Sequence, residues 1–202
     1  MAGGNERGGD GGEEPRSRDE KHNCKGPEWR APGDGETLQK NPDGKRPVIG
    51  GNTFVVVEAD GDDLVHSDGK AAAKAGELLG KYEEIKKPFW LGVGFVRPHI
   101  PFVAPRKYYK PFKPYSKMVL PEKLPGNWDD IPQAGINYCT SENMQMDLRK
   151  QKKAGGGYYA SVAYLDAQVG KVMAALEKSG KRDKTIVIFT SDHGFHLGEH
   201  DF

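Results

Sequence analysis

Three polar side chains that could do chemistry lie shortly after two apolar runs. His99 comes shortly after the run at 89–95, and Asp192 and His193 come after the β-branched run at 185–190. Each run has the length and composition of a buried strand. If both belong to one parallel sheet, their carboxyl ends meet at the edge where open α/β sheets bind ligands. We therefore expect these side chains to face one crevice.

The residue types indicate which chemistry this crevice would support. Asp192 offers a hard carboxylate oxygen and His193 an imidazole nitrogen, so together they could hold a divalent cation. His99, which lies between Pro98 and Pro101, could donate a proton or a hydrogen bond to a substrate oxygen. Two structural interpretations stay open: His99 as a hydrogen-bonded loop residue, and Asp192 as a helix N-cap beside a histidine.

A rival pattern overlaps the second cluster. Residues 196–200 read His-Leu-Gly-Glu-His and fit H-x-x-E-H, the inverted zinc-peptidase motif. That motif requires both histidines on one helical turn, where they share a zinc ion. Gly194 and Gly198 disfavour a helix here. We therefore favour Asp192 and His193 over this motif.

The elements that position these residues are predicted from apolar spacing. Strands are predicted at 53–57, 89–95 and 185–190. Helices are predicted at 70–86, with Asp68 as its cap, and from Tyr158 to a C-terminal stop at Gly180. Between them, residues 103–150 are Pro-rich and weakly periodic, which is typical of a long excursion. This alternation predicts an α/β fold with a mostly parallel sheet and flanking helices.

Composition divides the chain into two parts. Residues 1–50 hold much of the glycine and almost no periodic apolar residues, so we expect an irregular or disordered segment there. Residues 51–202 must then supply the core. The net charge of +1 argues against nucleic acid or an anionic membrane as the main partner. We also expect no membrane insertion and no signal peptide, and the sequence leaves the oligomeric state open.

Three stretches resemble the sulfatase family of the alkaline-phosphatase-like superfamily, nearest to its iduronate-2-sulfatase branch. Residues 87–102 are similar to the family's PFFLAVGxxKPHxPF stretch, and residues 158–170 to its YxASVSYxDxQVG helix. The third match, at 190–200, reads Thr-Ser-Asp-His-Gly-Phe-His-Leu-Gly-Glu-His. All three occur in the family's order, and together they cover roughly residues 53–202.

The resemblance implies a partial alkaline-phosphatase-like fold and hydrolysis of sulfate esters of sugars, with a sulfated carbohydrate as substrate. It implies Ca²⁺ as the cation, with Asp192 and His193 as metal ligands. It makes His99 the residue that contacts the sulfate and protonates the leaving alcohol. Arg97 stands where the family often has Lys, and the resemblance implies that it binds the substrate. The family's enzymes are typically secreted, periplasmic or lysosomal, and the compartment of this chain stays open.

The sequence also departs from the family's pattern. The formylglycine nucleophile arises in a C/S-x-P/A-x-R motif, which neither Cys24 nor Cys139 matches. The acidic pair that follows the family's first strand is not found either. We therefore expect a fragment from the middle of the catalytic domain that is inactive alone. A phosphatase or phosphodiesterase of the same superfamily and a non-catalytic remnant stay open as alternatives.

Overall fold

The computed structural model describes residues 19–38, 54–85, 87–122, 129–135 and 145–199. Over these residues the chain is an α/β structure, in which a small mixed sheet packs against helices. The strands are β1 (Gly33–Thr37), β2 (Val55–Ala59) and β3 (Phe102–Pro105), and the α-helices are α1 (Ser67–Tyr82) and α2 (Leu148–Lys178). Short 3₁₀ helices at Glu28–Arg30, Asp63–Val65, Arg106–Phe112, Tyr115–Lys117, Gln133–Gly135 and Arg182–Lys184 connect them.

The central strand β2 pairs with β1 in antiparallel fashion and with β3 in parallel fashion. All of β2 and β3 is buried, because both faces of the sheet are covered. On one face Val56 and Phe102 pack in a cluster with α2 residues, including Tyr164. On the other face Val57 and its neighbours pack against Trp29.

Helix α1 confirms the predicted helix at 70–86, although it starts and ends a few residues earlier. Helix α2 confirms the second predicted helix but begins at Leu148 instead of Tyr158, with the Asp147 side chain accepting a hydrogen bond from the Lys150 N–H at 2.9 Å. The glycines at 155–157 lie inside α2, where Gly156 faces the Tyr115 ring and Gly157 faces the sheet. A Cβ on Gly157 would lie 2.8 Å from Val56 Cγ2, so glycine permits this close approach.

Asp63 ties the two helices together. Its carboxylate accepts hydrogen bonds from Lys171 at 2.5 Å and from the Tyr108 hydroxyl at 2.9 Å. The Tyr164 hydroxyl donates to the Asp63 carbonyl at 3.0 Å and accepts from the Gly69 N–H at 2.7 Å. Burial raises the pKa of Asp63, but its cationic and hydroxyl partners outweigh burial and bring the pKa down to about 2.

Several expectations differ from the structure. The sequence predicts a mostly parallel sheet, but the described sheet is mixed, because β1 pairs with β2 in antiparallel fashion. The runs at 89–95 and 185–190 are not strands of the described sheet, and Ile186 and Ile188 are 90% and 83% exposed. An apolar run predicts burial, but a strand also needs a neighbour to pair with, and the described residues offer these runs none. Conversely, β1 lies in the region predicted to be irregular, because β2 supplies its partner.

None of the described helices combines the length and apolar character that crossing a membrane would need.

Candidate active site

His99 lies in the loop of residues 96–101, between α1 and β3. The loop turns tightly, with the His99 N–H donating to the Val96 carbonyl at 2.9 Å. The side chain is exposed, and its Nδ1 lies 2.6 Å from the Ile100 carbonyl oxygen. A carbonyl only accepts, so this contact places a hydrogen on Nδ1. Nε2 is therefore the ring nitrogen left for a ligand, which is compatible with the proton-donor role predicted for His99.

The backbone of this loop is hydrogen-bonded to Asp68, which lies in the first turn of α1. The Asp68 carboxylate accepts hydrogen bonds from the N–H groups of Val96 and Arg97, both at 2.9 Å. Asp68 is only 1% exposed, and burial raises the pKa of its carboxyl. The sequence predicts Asp68 as the cap of α1, but the N-cap is His66, and Asp68 binds the loop instead.

The Arg97 side chain holds the other end of the same loop. One terminal nitrogen, Nη1, donates to the carbonyls of His99 at 2.7 Å and Pro101 at 2.6 Å, while Nη2 forms a salt bridge with Glu28. Burial lowers the pKa of Arg97 to about 10, so its guanidinium stays charged at neutral pH. The predicted substrate contact of Arg97 stays a prediction, and here the side chain is 2% exposed and faces the protein.

Asp192 and His193 lie on an exposed segment after the 185–190 run. Their side chains are 67% and 65% exposed, and Asp192 Oδ2 is 3.9 Å from His193 Nε2. The Asp192 carboxylate accepts the His193 N–H at 3.1 Å, and His193 Nδ1 donates to the Gly194 carbonyl at 2.7 Å. Both side chains are therefore accessible to a ligand from solvent.

An aromatic cluster joins this segment to the sheet. The Phe195 ring lies 5.8 Å from Phe102, the first residue of β3, and 5.7 Å from Phe54, which precedes β2. His99 also lies shortly before Phe102. Both candidate segments are thus anchored where the parallel strands begin, whereas the sequence predicts the carboxyl ends. The reason is that the runs preceding each segment are not part of the described sheet.

The donor set of the expected Ca²⁺ site is incomplete in the described part of the chain. No group of three or more His, Cys, Asp or Glu side chains gathers there in a way that could hold a metal. Asp192 and His193 supply one oxygen and one nitrogen, while Ca²⁺ takes roughly six to eight oxygen ligands. These residues alone do not fit a calcium site.

The rival zinc motif lacks its helix over the described residues. Residues 191–198 form no helix, and only Glu199 enters a helical turn. His200 lies outside the described residues. Without an α-helix, His196 is not placed as the H-x-x-E-H motif requires.

The contact between Glu28 and Arg97 has no signature in the sequence. The two residues lie 69 positions apart, and Glu28 falls within the region predicted to be irregular. Periodicity reports which residues are buried, but it does not report which of two distant charged residues will pair. The position of Asp68 at the start of a helix likewise indicates a cap and gives no sign of its contact with the loop.

Comparison with known proteins gives the chain a family. The family model described as Sulfatase matches residues 18–202, which is most of the chain. The chain belongs to the sulfatase family. The enzymes of this family are sulfuric ester hydrolases, and membership implies the alkaline-phosphatase-like fold. The match also includes the Glu28 region, which the three resembling stretches do not reach.

Individual relatives of the sulfatase family match parts of this chain. Human iduronate 2-sulfatase is 33% identical over 147 residues, which are 66% of this chain and 26% of that protein. An N-acetylglucosamine-6-O-sulfatase of Bacteroides thetaiotaomicron is 49% identical over 93 residues, covering 43% and 16% respectively. A multifunctional alkaline phosphatase superfamily protein of Trinickia caryophylli is 31% identical over 128 residues, covering 56% and 25%. The chain spans about a quarter or less of the length of these relatives.

Proposed function

We propose that this chain forms the middle part of the catalytic domain of a sulfatase of the iduronate-2-sulfatase type, which hydrolyses sulfate esters of sugars. The observation that carries the proposal is the exposed His99 imidazole on a loop whose backbone is fixed by buried side chains. Family membership supplies the reaction class, and similarity to two sulfatases named for sugar substrates supports the substrate class.

His99 is proposed as the proton donor to the leaving alcohol. Its Nδ1 hydrogen is directed to the Ile100 carbonyl, so the proton transferred to a substrate oxygen must leave Nε2 of the doubly protonated imidazolium. When the S–O bond of the ester breaks, negative charge develops on the alcohol oxygen. A proton delivered from Nε2 to that oxygen neutralises this charge and assists departure.

Asp192 and His193 are proposed as two ligands of the divalent cation that the family implies, Ca²⁺. Such a cation, held by these two residues and further ligands, would offset negative charge on sulfate oxygens. The remaining ligands, and a formylglycine nucleophile, would come from residues outside the described set or from other parts of a longer protein. Arg97 stays a predicted substrate contact, and in the structure its guanidinium is buried against Glu28.

The test uses 4-nitrophenyl sulfate and two proteins. The 202-residue chain alone is expected to give no turnover above background. A longer product, extended in frame through the flanking coding DNA and matured by a formylglycine-generating enzyme, is expected to release sulfate. On a monosaccharide sulfate, whose alkoxide leaves poorly without a proton, His99→Ala in that longer product should lower kcat by about 10²–10⁴-fold, the usual contribution of a general acid. His22→Ala, which changes an exposed histidine far from His99 in the sequence, is the matched control and should leave kcat unchanged.

Two results would count against the proposal. Full activity of the longer His99→Ala variant on the monosaccharide sulfate would remove the proton-donor role. Turnover by the 202-residue chain that His99→Ala abolishes would show that no nucleophile from elsewhere is needed.

A second candidate function is hydrolysis of phosphate esters. This candidate is supported by the similarity to a protein of the alkaline phosphatase superfamily that is described as multifunctional. The longer product should be assayed in parallel on 4-nitrophenyl phosphate and bis(4-nitrophenyl) phosphate. Faster turnover of either phosphate than of the sulfate would favour this candidate over the sulfatase.

A further inference from the structure

Three charged side chains are buried around one exposed histidine loop. Glu28, Asp68 and Arg97 are 9%, 1% and 4% exposed. Removing charged groups from water is costly, and well-packed apolar residues often fill the same space with less loss of stability. Stability alone therefore gives little reason for such a cluster. Its hydrogen bonds show what it provides that apolar residues could not.

These bonds fix the backbone of the loop at both ends. At the start of the loop, the Asp68 carboxylate accepts hydrogen bonds from the N–H groups of Val96 and Arg97. At its end, the Arg97 guanidinium donates hydrogen bonds to the carbonyls of His99 and Pro101. Hydrogen bonds are directional, so together they define the position and orientation of the His99 peptide. An apolar cluster would fill the space without setting that orientation.

Glu28 is itself held in place. The Ser67 hydroxyl donates to its Oε1 at 2.8 Å, while Oε2 binds Arg97. Its backbone has a φ of +46°, in the left-handed region that non-glycine residues seldom adopt. Such a conformation persists when the surroundings demand it, and it is typical of functional sites. In this structure, that backbone conformation places the Glu28 carboxylate against Arg97.

We propose that Glu28, Arg97 and Asp68 form a clamp that positions His99 for proton transfer, with Glu28 and Asp68 as positioning residues that need not contact the substrate. The clamp links three separate segments: the 3₁₀ helix at Glu28–Arg30, the start of α1, and the loop of residues 96–101. This inference rests on the proposed role of His99, but its test does not depend on sulfate hydrolysis.

The test is NMR on the full 202-residue chain carrying Glu28→Gln, which keeps the shape of the side chain and removes its charge. Two readouts are followed: amide hydrogen exchange at Val96, Arg97 and His99, and the imidazole ¹⁵N shifts of His99, which report its tautomer. We expect exchange at these amides to accelerate roughly tenfold or more. We also expect the His99 ring to change from the Nδ1–H tautomer to a mixture.

The matched control is Glu36→Gln. Glu36 also forms salt bridges, with Arg149 at 2.7 Å and Lys153 at 2.6 Å, but it does not touch the loop. This control should leave both His99 readouts unchanged, even where it lowers overall stability. A purely structural role for Glu28 would lower the melting temperature without altering the His99 tautomer of the folded molecules.

A second variant, Arg97→Lys, keeps the charge but cannot bridge the carboxylate and two carbonyls with the guanidinium's fork geometry. It should accelerate amide exchange in the loop as Glu28→Gln does. It replaces Glu28→Gln in the test if that variant does not fold. Unchanged exchange and tautomer in a folded Glu28→Gln or Arg97→Lys chain would overturn the clamp. If the NMR results support the clamp but the longer His99→Ala product remains fully active, only the proton-donor role of His99 is refuted.

Discussion

His66 shows how a single residue makes this fold sensitive to acid. It is 2% exposed at the N-cap of α1, and its ring lies 6.0 Å from the Tyr164 ring. Its Nε2 is buried without a hydrogen-bond partner among the described residues. Burial lowers the pKa of His66, although the Asp63 carboxylate acts in the opposite direction. The folded state therefore favours the neutral imidazole.

This buried histidine predicts the direction of a pH effect. An unfolded histidine has a pKa of about 6.5, so below that pH the unfolded state binds more protons than the folded state. Folding stability should fall as the pH is lowered from about 7.5 to about 5. His66→Gln, which does not titrate, should reduce this fall. The measurement is the melting temperature of both chains across that range.

His22→Gln serves as the control for that experiment, because His22 is exposed. It should retain the wild-type dependence on pH. A His66→Gln chain that loses stability with acid as steeply as the wild type would show that His66 is not the group responsible.

At the scale of elements, glycines decide how closely α2 approaches the sheet. A Cβ on Gly157 would meet Val56 Cγ2 at 2.8 Å and Phe102 Cβ at 3.2 Å. Gly170 lies in the same helix, but a Cβ there would have no described atom within 4 Å. The two glycines therefore differ in packing, although each lowers the stability of the helix relative to alanine.

Alanine at these two positions should have opposite effects. Overpacking costs about 1–3 kcal/mol, and at Gly157 it should outweigh the ~1 kcal/mol that alanine gains over glycine in a helix. Gly157→Ala should thus lower the free energy of unfolding, and Gly170→Ala should raise it by up to ~1 kcal/mol. Urea denaturation measures both. Stabilisation by Gly157→Ala would contradict the close packing of α2 on β2.

The same scale shows what sequence reasoning can predict. Strand β2 and helices α1 and α2 are predictable because their apolar spacing is a local property. Strand β1 is not, since Gly33, Asp34 and Gly35 carry no apolar alternation and pair only because β2 is adjacent. The clamp on His99 escapes prediction for a related reason: its partners are distant in sequence.

At the scale of the whole molecule, the apolar side chains at 186–189 form a surface that the described residues leave exposed. Residues 186, 188 and 189 are 76–90% exposed, and Trp90 is 85% exposed. Exposed apolar runs of this kind mark interaction surfaces or aggregation sites. The chain spans about a quarter of the length of human iduronate 2-sulfatase, and we propose that further parts of a sulfatase domain cover this surface.

Ile188→Lys tests whether this surface is exposed in the folded chain. A lysine at an uncovered position should raise the concentration at which the chain aggregates and leave its melting temperature within a few degrees. Val57→Lys, at a strand position 1% exposed, is the contrasting variant and should prevent folding. Light scattering and thermal melts give both quantities. Unfolding caused by Ile188→Lys would show that the run is buried after all.

The DNA on both sides of this reading frame is the place to test whether the chain is the middle of a sulfatase catalytic domain. We expect upstream sequence encoding a C/S-x-P/A-x-R motif and an acidic pair at a strand end. Flanks that encode none of these would refute the proposal. His99, Asp192 and His193 would then lack a nucleophile, and the non-catalytic remnant would replace the enzyme.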